Sequence, residues 1–147
     1  DAGADRDGGD TRPGAHDRGG NSIRLPGRYS LHAYWDGLMV AQVRRGHRGT
    51  RLSDVLVETA EVGDFATPPG RVSGWGEQWA LASVALAPQA YEGIRLGKRR
   101  GSDDRWTLRA YWAPSATAYK ERHAALAERQ LAQAAFQLAA VLERLEW

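Results

Sequence analysis

Residues 30–36, which read Ser-Leu-His-Ala-Tyr-Trp-Asp, begin the segment on which the fold of this chain depends. A serine is a favourable helix N-cap, and the residues that follow it predict a helix over about 31–43. His32 and Asp36 lie one helical turn apart, on the flank of an apolar stripe that faces a core. The members of that stripe are Leu31, Tyr34, Trp35, Leu38 and Met39.

The pair of His32 and Asp36 has two interpretations. An imidazole nitrogen and a carboxylate oxygen are common zinc ligands, and a site at the rim of the core suits them. A histidine and an aspartate four residues apart are also an ordinary surface pair on a helix. From the spacing alone the ordinary pair is the commoner explanation.

A glycine-rich segment precedes this helix. Residues 17–21 read Asp-Arg-Gly-Gly-Asn, and residues 1–21 as a whole carry almost no apolar side chain. This composition predicts a flexible loop over residues 1–21, in which the two glycines allow a tight backbone turn. Residues 22–147 are then the helical part of the chain.

The remaining pattern predicts an all-α fold of several helices around one core. Further helices are expected over about 54–61, 74–91 and 115–145, with Pro88 ending or kinking the second of them. Residues 23–29 suggest only a short hairpin or an irregular segment, because Pro26 and Gly27 end any strand quickly. The last helix has one apolar stripe at helical spacing, formed by Leu131, Ala135, Leu138, Leu142 and Leu145.

Composition excludes several classes of protein. The 147 residues are 42% apolar and 26% charged, which is ordinary for one soluble globular domain. The formal net charge of +2 gives no global attraction to nucleic acid or membrane. The chain has no cysteine, so disulfides and thiolate metal sites are excluded. No apolar run approaches the roughly 20 residues that span a bilayer.

Four sequence blocks together resemble a known family. Residues 17–21 match Asp-Arg-Gly-Gly-Asn, and residues 30–36 match Asn-Leu-His-x-x-Trp-Asp. Residues 79–83 match Trp-Ala-x-Glu-Ser, with Tyr91 downstream, and residues 130–142 match a closing alanine-rich helix. In this order the blocks resemble the zinc-dependent, single-strand-specific nucleases of the mung bean nuclease type, which are relatives of the zinc-dependent phospholipases C. The chain departs from the family pattern at Ser30, Ala82, Ala135 and Gln137.

The resemblance implies a set of residue roles. It assigns His32 and Asp36 as ligands of one zinc, and it implies no other catalytic residue in this chain. The glycine-rich loop would support the metal ligands or contact substrate; its residues are Asp17, Arg18, Gly19, Gly20 and Asn21. Enzymes of this family bind three zincs through further histidines, aspartates and an N-terminal amine that this chain lacks.

The resemblance also implies the biological setting. The chain corresponds to the C-terminal half of such an enzyme, incomplete at its N-terminus, with the missing N-terminal half as its partner. The intact enzyme would be an endonuclease and 3′-nucleotidase that cleaves single-stranded DNA and RNA to 5′-phosphate products. Family members are usually exported, so a periplasmic or secreted location without a membrane anchor is expected. The fragment alone is expected to have little activity.

Two other functions remain open at this point. A phospholipase C-like hydrolase is the nearest enzyme, although those relatives carry a glutamate where Asp36 stands. A non-catalytic helical interaction module is the other, with His32 only structural. The basic segment after the first helix could guide a phosphate backbone or be a solvated helix end; it contains Arg44, Arg45, His47, Arg48 and Arg51. His123 is expected at the surface.

Overall fold

The computed structural model describes residues 17–102 and 105–145. Most of the predicted loop over residues 1–21, including His16, therefore lies outside the described residues. The first helix, α1, is continuous from residue 31 to 46 and combines an α-helical turn, a π-helical part and a second α-helical part. These parts are Leu31–Ala33, Tyr34–Met39 and Val40–Gly46.

Three further helices and three strands complete the described fold. Helix α2 is Leu52–Val62, α3 is Trp75–Leu86 and α4 is Ala116–Leu142. Short 3-10 turns at Val72–Gly74 and Ala87–Tyr91 flank α3. Strand β1 is Ile23–Arg24, β2 is Ile94–Ser102 and β3 is Arg105–Trp112.

The helix ends follow local sequence signals. The Ser30 hydroxyl accepts a hydrogen bond from the Ala33 amide at 3.1 Å, and Ser115 caps α4 by the same contact with Ala118. Pro88 lies in the 3-10 turn after α3, where it removes an amide donor and ends the α-helix. All four predicted helices are confirmed, with ends within a few residues of those expected.

The expectation of an all-α fold is wrong in one respect, because the three strands form a sheet of order β1-β3-β2. β2 and β3 are an antiparallel hairpin, and β1 lies parallel to β3 with Ile23 beside Leu108. Sequence reasoning missed the hairpin because β2 is rich in arginine and glycine, and an irregularity between Leu96 and Arg99 interrupts its alternation.

The core lies between α1, α4 and the inner face of the sheet. The Tyr119 ring of α4 packs against Tyr34 and Trp112, and its hydroxyl donates to the Ala90 carbonyl at 2.6 Å. The same hydroxyl accepts from the Trp35 indole at 2.8 Å. These contacts anchor α1, and therefore the helix turn that carries His32.

Two details of α4 correct the sequence analysis. His123 is buried rather than at the surface, with its ring packed at a tilt against Tyr119 and its Nε2 hydrogen-bonded to the Glu92 carbonyl. The predicted apolar stripe turns outward in its second half, where Leu138 is 61% exposed. The buried face instead contains Tyr119, His123 and Ala127. Among the described helices, none is both long and apolar enough to cross a membrane.

Candidate metal centre

His32 and Asp36 meet on the exposed side of the first turns of α1. His32 Nε2 lies 3.0 Å from Asp36 Oδ2, and the two side chains are 49% and 68% exposed. His32 Nδ1 donates to the Gly19 carbonyl oxygen at 3.2 Å. The ring is thus held between a backbone carbonyl on one side and a carboxylate on the other, within reach of a ligand from solvent.

The glycine-rich loop folds back against the start of α1 to make this contact. Three successive residues have left-handed backbone, with φ of +59° at Arg18, +63° at Gly19 and +85° at Gly20. A Cβ atom at Gly20 would lie 3.1 Å from the His32 backbone nitrogen and 3.3 Å from the Leu31 Cβ. The absence of a side chain at Gly20 therefore allows the loop to approach the helix closely enough to place the Gly19 carbonyl.

The two side chains fit a zinc ion by the chemistry of their donor atoms. With Nδ1–H donating to Gly19, a neutral His32 ring has a lone pair on Nε2 that faces the Asp36 carboxylate. Two acceptors at 3.0 Å are unfavourable unless a proton or a cation lies between them. Neighbouring ligands of a tetrahedral zinc are about 3.3 Å apart. Metal-binding histidines commonly donate their second nitrogen to a backbone carbonyl, as His32 does.

The described residues supply only part of a metal site. Within residues 17–102 and 105–145, no group of three or more histidine, cysteine, aspartate or glutamate side chains could hold a metal ion. A catalytic zinc uses three protein ligands and keeps one position open. If His32 and Asp36 bind a metal, they form a two-ligand half-site, and any further ligand would come from outside the described residues.

The other loop residues support the loop itself. The Asp17 side chain is buried, and the Tyr91 hydroxyl donates to its carboxylate. The Asn21 side-chain amide donates to the Arg18 carbonyl at 3.0 Å, and the Ser22 amide donates to the Asp17 carbonyl at 2.9 Å. Sequence reasoning assigns Tyr91 no role, but in the structure its hydroxyl ties the loop to the 3-10 turn that follows α3.

Asp36 lies within the π-helical part of α1. Such wide turns are rare in helices and occur frequently at functional sites. Gly37, which follows Asp36, has open space at its Cβ position, so no neighbour crowds the wide turn there. The Asp36 side chain is 68% exposed, so a metal ion or a phosphate could reach its carboxylate from solvent.

The basic segment at the C-terminal end of α1 lines a second feature, a cavity of about 560 Å³. His47 also lines this cavity, and its Nε2 lies 2.7 Å from the Glu128 carboxylate. The other oxygen of that carboxylate accepts from Thr59 at 3.1 Å. This polar cluster joins α1, α2 and α4, and it gives His47 a structural role. The cationic side chains at the cavity are those of Arg44, Arg48 and Arg51.

Comparison with known proteins identifies a family for this chain. The chain matches the family model described as S1/P1 nuclease over residues 9–146. Members of this family are nucleases that are generally zinc-dependent and secreted. No curated protein and no solved structure matches the chain. The family match spans both the glycine-rich loop and the His32–Asp36 helix and covers nearly all of the 147 residues, and this protein therefore belongs to the S1/P1 nuclease family.

Proposed function

We propose that this chain is part of a zinc-dependent endonuclease and 3′-nucleotidase, and that His32 and Asp36 hold one of its zinc ions. The observation that carries the proposal is the contact geometry of His32, whose Nδ1 faces the Gly19 carbonyl while Nε2 faces Asp36. A backbone carbonyl that accepts from one ring nitrogen is how metal-binding histidines are oriented, and the carboxylate beside the other nitrogen would be a second ligand. The substrate would be single-stranded DNA or RNA, cleaved to 5′-phosphate products.

The residues of this chain would position the reacting groups. Zinc supplies a Lewis acid that polarises a phosphoryl oxygen and activates water near neutral pH. The Gly19 carbonyl holds the His32 ring in one tautomer and orientation. The Asp36 carboxylate contributes a second ligand oxygen and one negative charge. Because both side chains are about half exposed or more, a phosphodiester can approach them directly.

The half-site requires further ligands, which by resemblance to the family would lie before the glycine-rich loop. We infer that this chain works with an N-terminal part that supplies them, to give three zincs in the intact enzyme. In this arrangement residues 1–21 belong to an active-site loop, and residues 22–147 form the C-terminal part of the nuclease domain. The chain alone would then bind zinc weakly and cleave nucleic acid poorly.

The basic cavity after α1 supports a nucleic-acid substrate. Arg44 follows Asp36 by eight residues on the same helix, which is about two turns. Arg48 and Arg51 line the same cavity. Cations at this distance from the half-site suit the phosphate backbone of a strand whose scissile phosphate lies at Asp36.

A zinc titration of the metal-free chain tests the proposal. Calorimetry should give one weak site in the wild type, and His32→Ala should abolish its heat of binding. His47→Ala is the matched control, because His47 also contacts a carboxylate but has no orienting carbonyl among the described residues. Equal zinc affinity in the wild type and in His32→Ala would contradict the proposal.

A further inference from the structure

The outer face of the sheet is a cluster of arginines, and its register brings two of them side by side. Leu108 and Ala110 belong to the core, so strand alternation turns Arg109 and Tyr111 outward. In the parallel pair of β1 and β3, Arg24 is the direct neighbour of Arg109. On the other side of β3, Arg95 of β2 pairs with Tyr111 and has its guanidinium carbon 5.9 Å from the ring centroid.

A cavity of about 380 Å³ opens between this face and the turn that follows β1. Arg24, Arg28 and Arg109 all line it, and Tyr111 forms part of its wall. No acidic side chain is among the residues that line it. None of the three arginines has an ion pair with another described residue. The cavity is therefore cationic and has no internal counter-charge within the described part of the chain.

Three arginines around one cavity are unfavourable when no anion is bound between them. Like charges that face each other on neighbouring strands repel. Arg28 moreover has left-handed backbone with φ of +70°, where glycine and asparagine are the usual residues. The turn is closed by a hydrogen bond of 2.9 Å from the Leu25 amide to the Tyr29 carbonyl, and Arg28 lines the same cavity. A bound anion would convert the mutual repulsion of these groups into attraction.

We propose that Arg24, Arg28 and Arg109 form a phosphate-binding site on the outer face of the sheet. Guanidinium groups bind phosphate through paired N–H donors, and three of them around one small cavity suit a ligand with several anionic oxygens. The phosphate can belong to the backbone of a nucleic-acid strand or be a free phosphate ion. This site goes beyond the proposed function and does not require zinc, because none of its three residues belongs to the metal half-site.

The site is connected to the metal half-site through one short turn. Arg24 forms a β-bridge with Ser30, the residue that caps α1 two positions before His32. A strand whose phosphate is held at the sheet would therefore be anchored next to the beginning of the helix that carries His32 and Asp36. A free phosphate ion at the same place would bind the sheet without extending toward the half-site.

Binding measurements in EDTA test the proposal without involving the metal. The site variant is Arg24→Ser/Arg109→Ser. The control is Arg71→Ser/Arg122→Ser, which removes the same charge from exposed positions outside the cavity, with Arg122 3.9 Å from the Glu92 carboxylate. The probes are a fluorescent twelve-nucleotide oligothymidylate, followed by anisotropy, and inorganic phosphate, followed by thermal unfolding at low ionic strength.

The site variant should bind the oligonucleotide about tenfold more weakly than the wild type, and the control should stay within about twofold. The slope of log affinity against log salt should fall by about 0.7 for each backbone phosphate that the variant no longer neutralises. Phosphate should raise the unfolding temperature of the wild type but not of the site variant. Without phosphate the site variant should be at least as stable as the wild type, since the repulsive pair is gone.

Each outcome decides the proposal. If the wild type binds both probes and only the site variant binds both more weakly, the site accepts free phosphate as well as a nucleic-acid strand. Weaker binding confined to the oligonucleotide identifies the backbone as the ligand. Equal weakening in the site variant and the control, or no binding of either probe to the wild type, would overturn the proposal. A failed zinc titration would leave this result unaffected.

Discussion

Replacing Gly20 by alanine should weaken zinc binding, because it would move the Gly19 carbonyl away from His32. The new Cβ would lie 3.1 Å from the His32 backbone nitrogen and 3.3 Å from the Leu31 Cβ. Leu31 is buried in the core, so the helix has little room to yield, whereas Arg18 and Gly19 are exposed. The loop must therefore move away from α1 by a few tenths of an ångström.

This displacement is sufficient to break the hydrogen bond that orients His32. The Nδ1–O distance to Gly19 is 3.2 Å, and a separation of about 3.5 Å or more is no longer a useful hydrogen bond. Removal of an orienting partner from a metal-binding residue typically lowers metal affinity about 10- to 100-fold. We expect a change of this size in the zinc affinity of Gly20→Ala.

Gly19→Ala is the matched control, because it carries the same backbone penalty without the clash. Gly19 has φ of +63°, and its Cβ position has no atom within 4 Å. Left-handed backbone at an alanine costs about 1 kcal/mol in either variant, which lowers the unfolding temperature by about 3 °C in a chain of this size. Only Gly20→Ala should also bind zinc more weakly, in calorimetric titration of the folded chain. Equal zinc affinity in the two variants would refute the reasoning.

Three further predictions concern stability. Tyr91→Phe removes the donor to the buried Asp17 carboxylate and should lower the free energy of unfolding by about 1.5–3 kcal/mol in urea denaturation; an unchanged midpoint would contradict the role of Tyr91. Burial raises the pKa of Tyr119 above its ordinary value near 10, so the unfolded chain loses this proton first and stability should fall above pH 10 by up to about 1.4 kcal/mol per pH unit. In Tyr119→Phe the stability should fall less steeply above pH 10, and the same slope as in the wild type would count against the role of Tyr119. His47→Ala should destabilise the junction of α1, α2 and α4 in thermal unfolding while zinc affinity stays unchanged; weaker zinc binding would assign His47 to the metal instead.

Local signals made the helices predictable. Ser30 and Ser115 cap α1 and α4 with their own hydroxyls, and these contacts depend only on residues three positions away. The burial of Leu31, Tyr34 and Met39 follows from their spacing alone. The sheet was harder to predict, because β1 has two residues and pairs with a strand more than 80 positions later in the chain.

The contacts of the candidate site also differ in how predictable they are, according to whether their residues are close together or far apart in the sequence. His32 and Asp36 contact each other because they are one turn apart on one helix, which the sequence shows directly. The Gly19 carbonyl reaches His32 only because three left-handed residues turn the loop back, and the Tyr91 contact with Asp17 spans 74 positions. His123 was misplaced for a related reason, since its burial depends on the path of the 3-10 turn that brings the Glu92 carbonyl to it.

The most direct test of the metal half-site is to follow the side-chain nitrogens of the four histidines by NMR during zinc titration. We predict that zinc shifts the Nε2 signal of His32 selectively and leaves Nδ1 protonated, because Nδ1 donates to Gly19. His123 should be unaffected because it is buried, and His47 because no carbonyl among the described residues orients its ring. A zinc-induced shift at another histidine with none at His32, or a His32 ring bound through Nδ1, would contradict the assignment of His32 and Asp36 as zinc ligands.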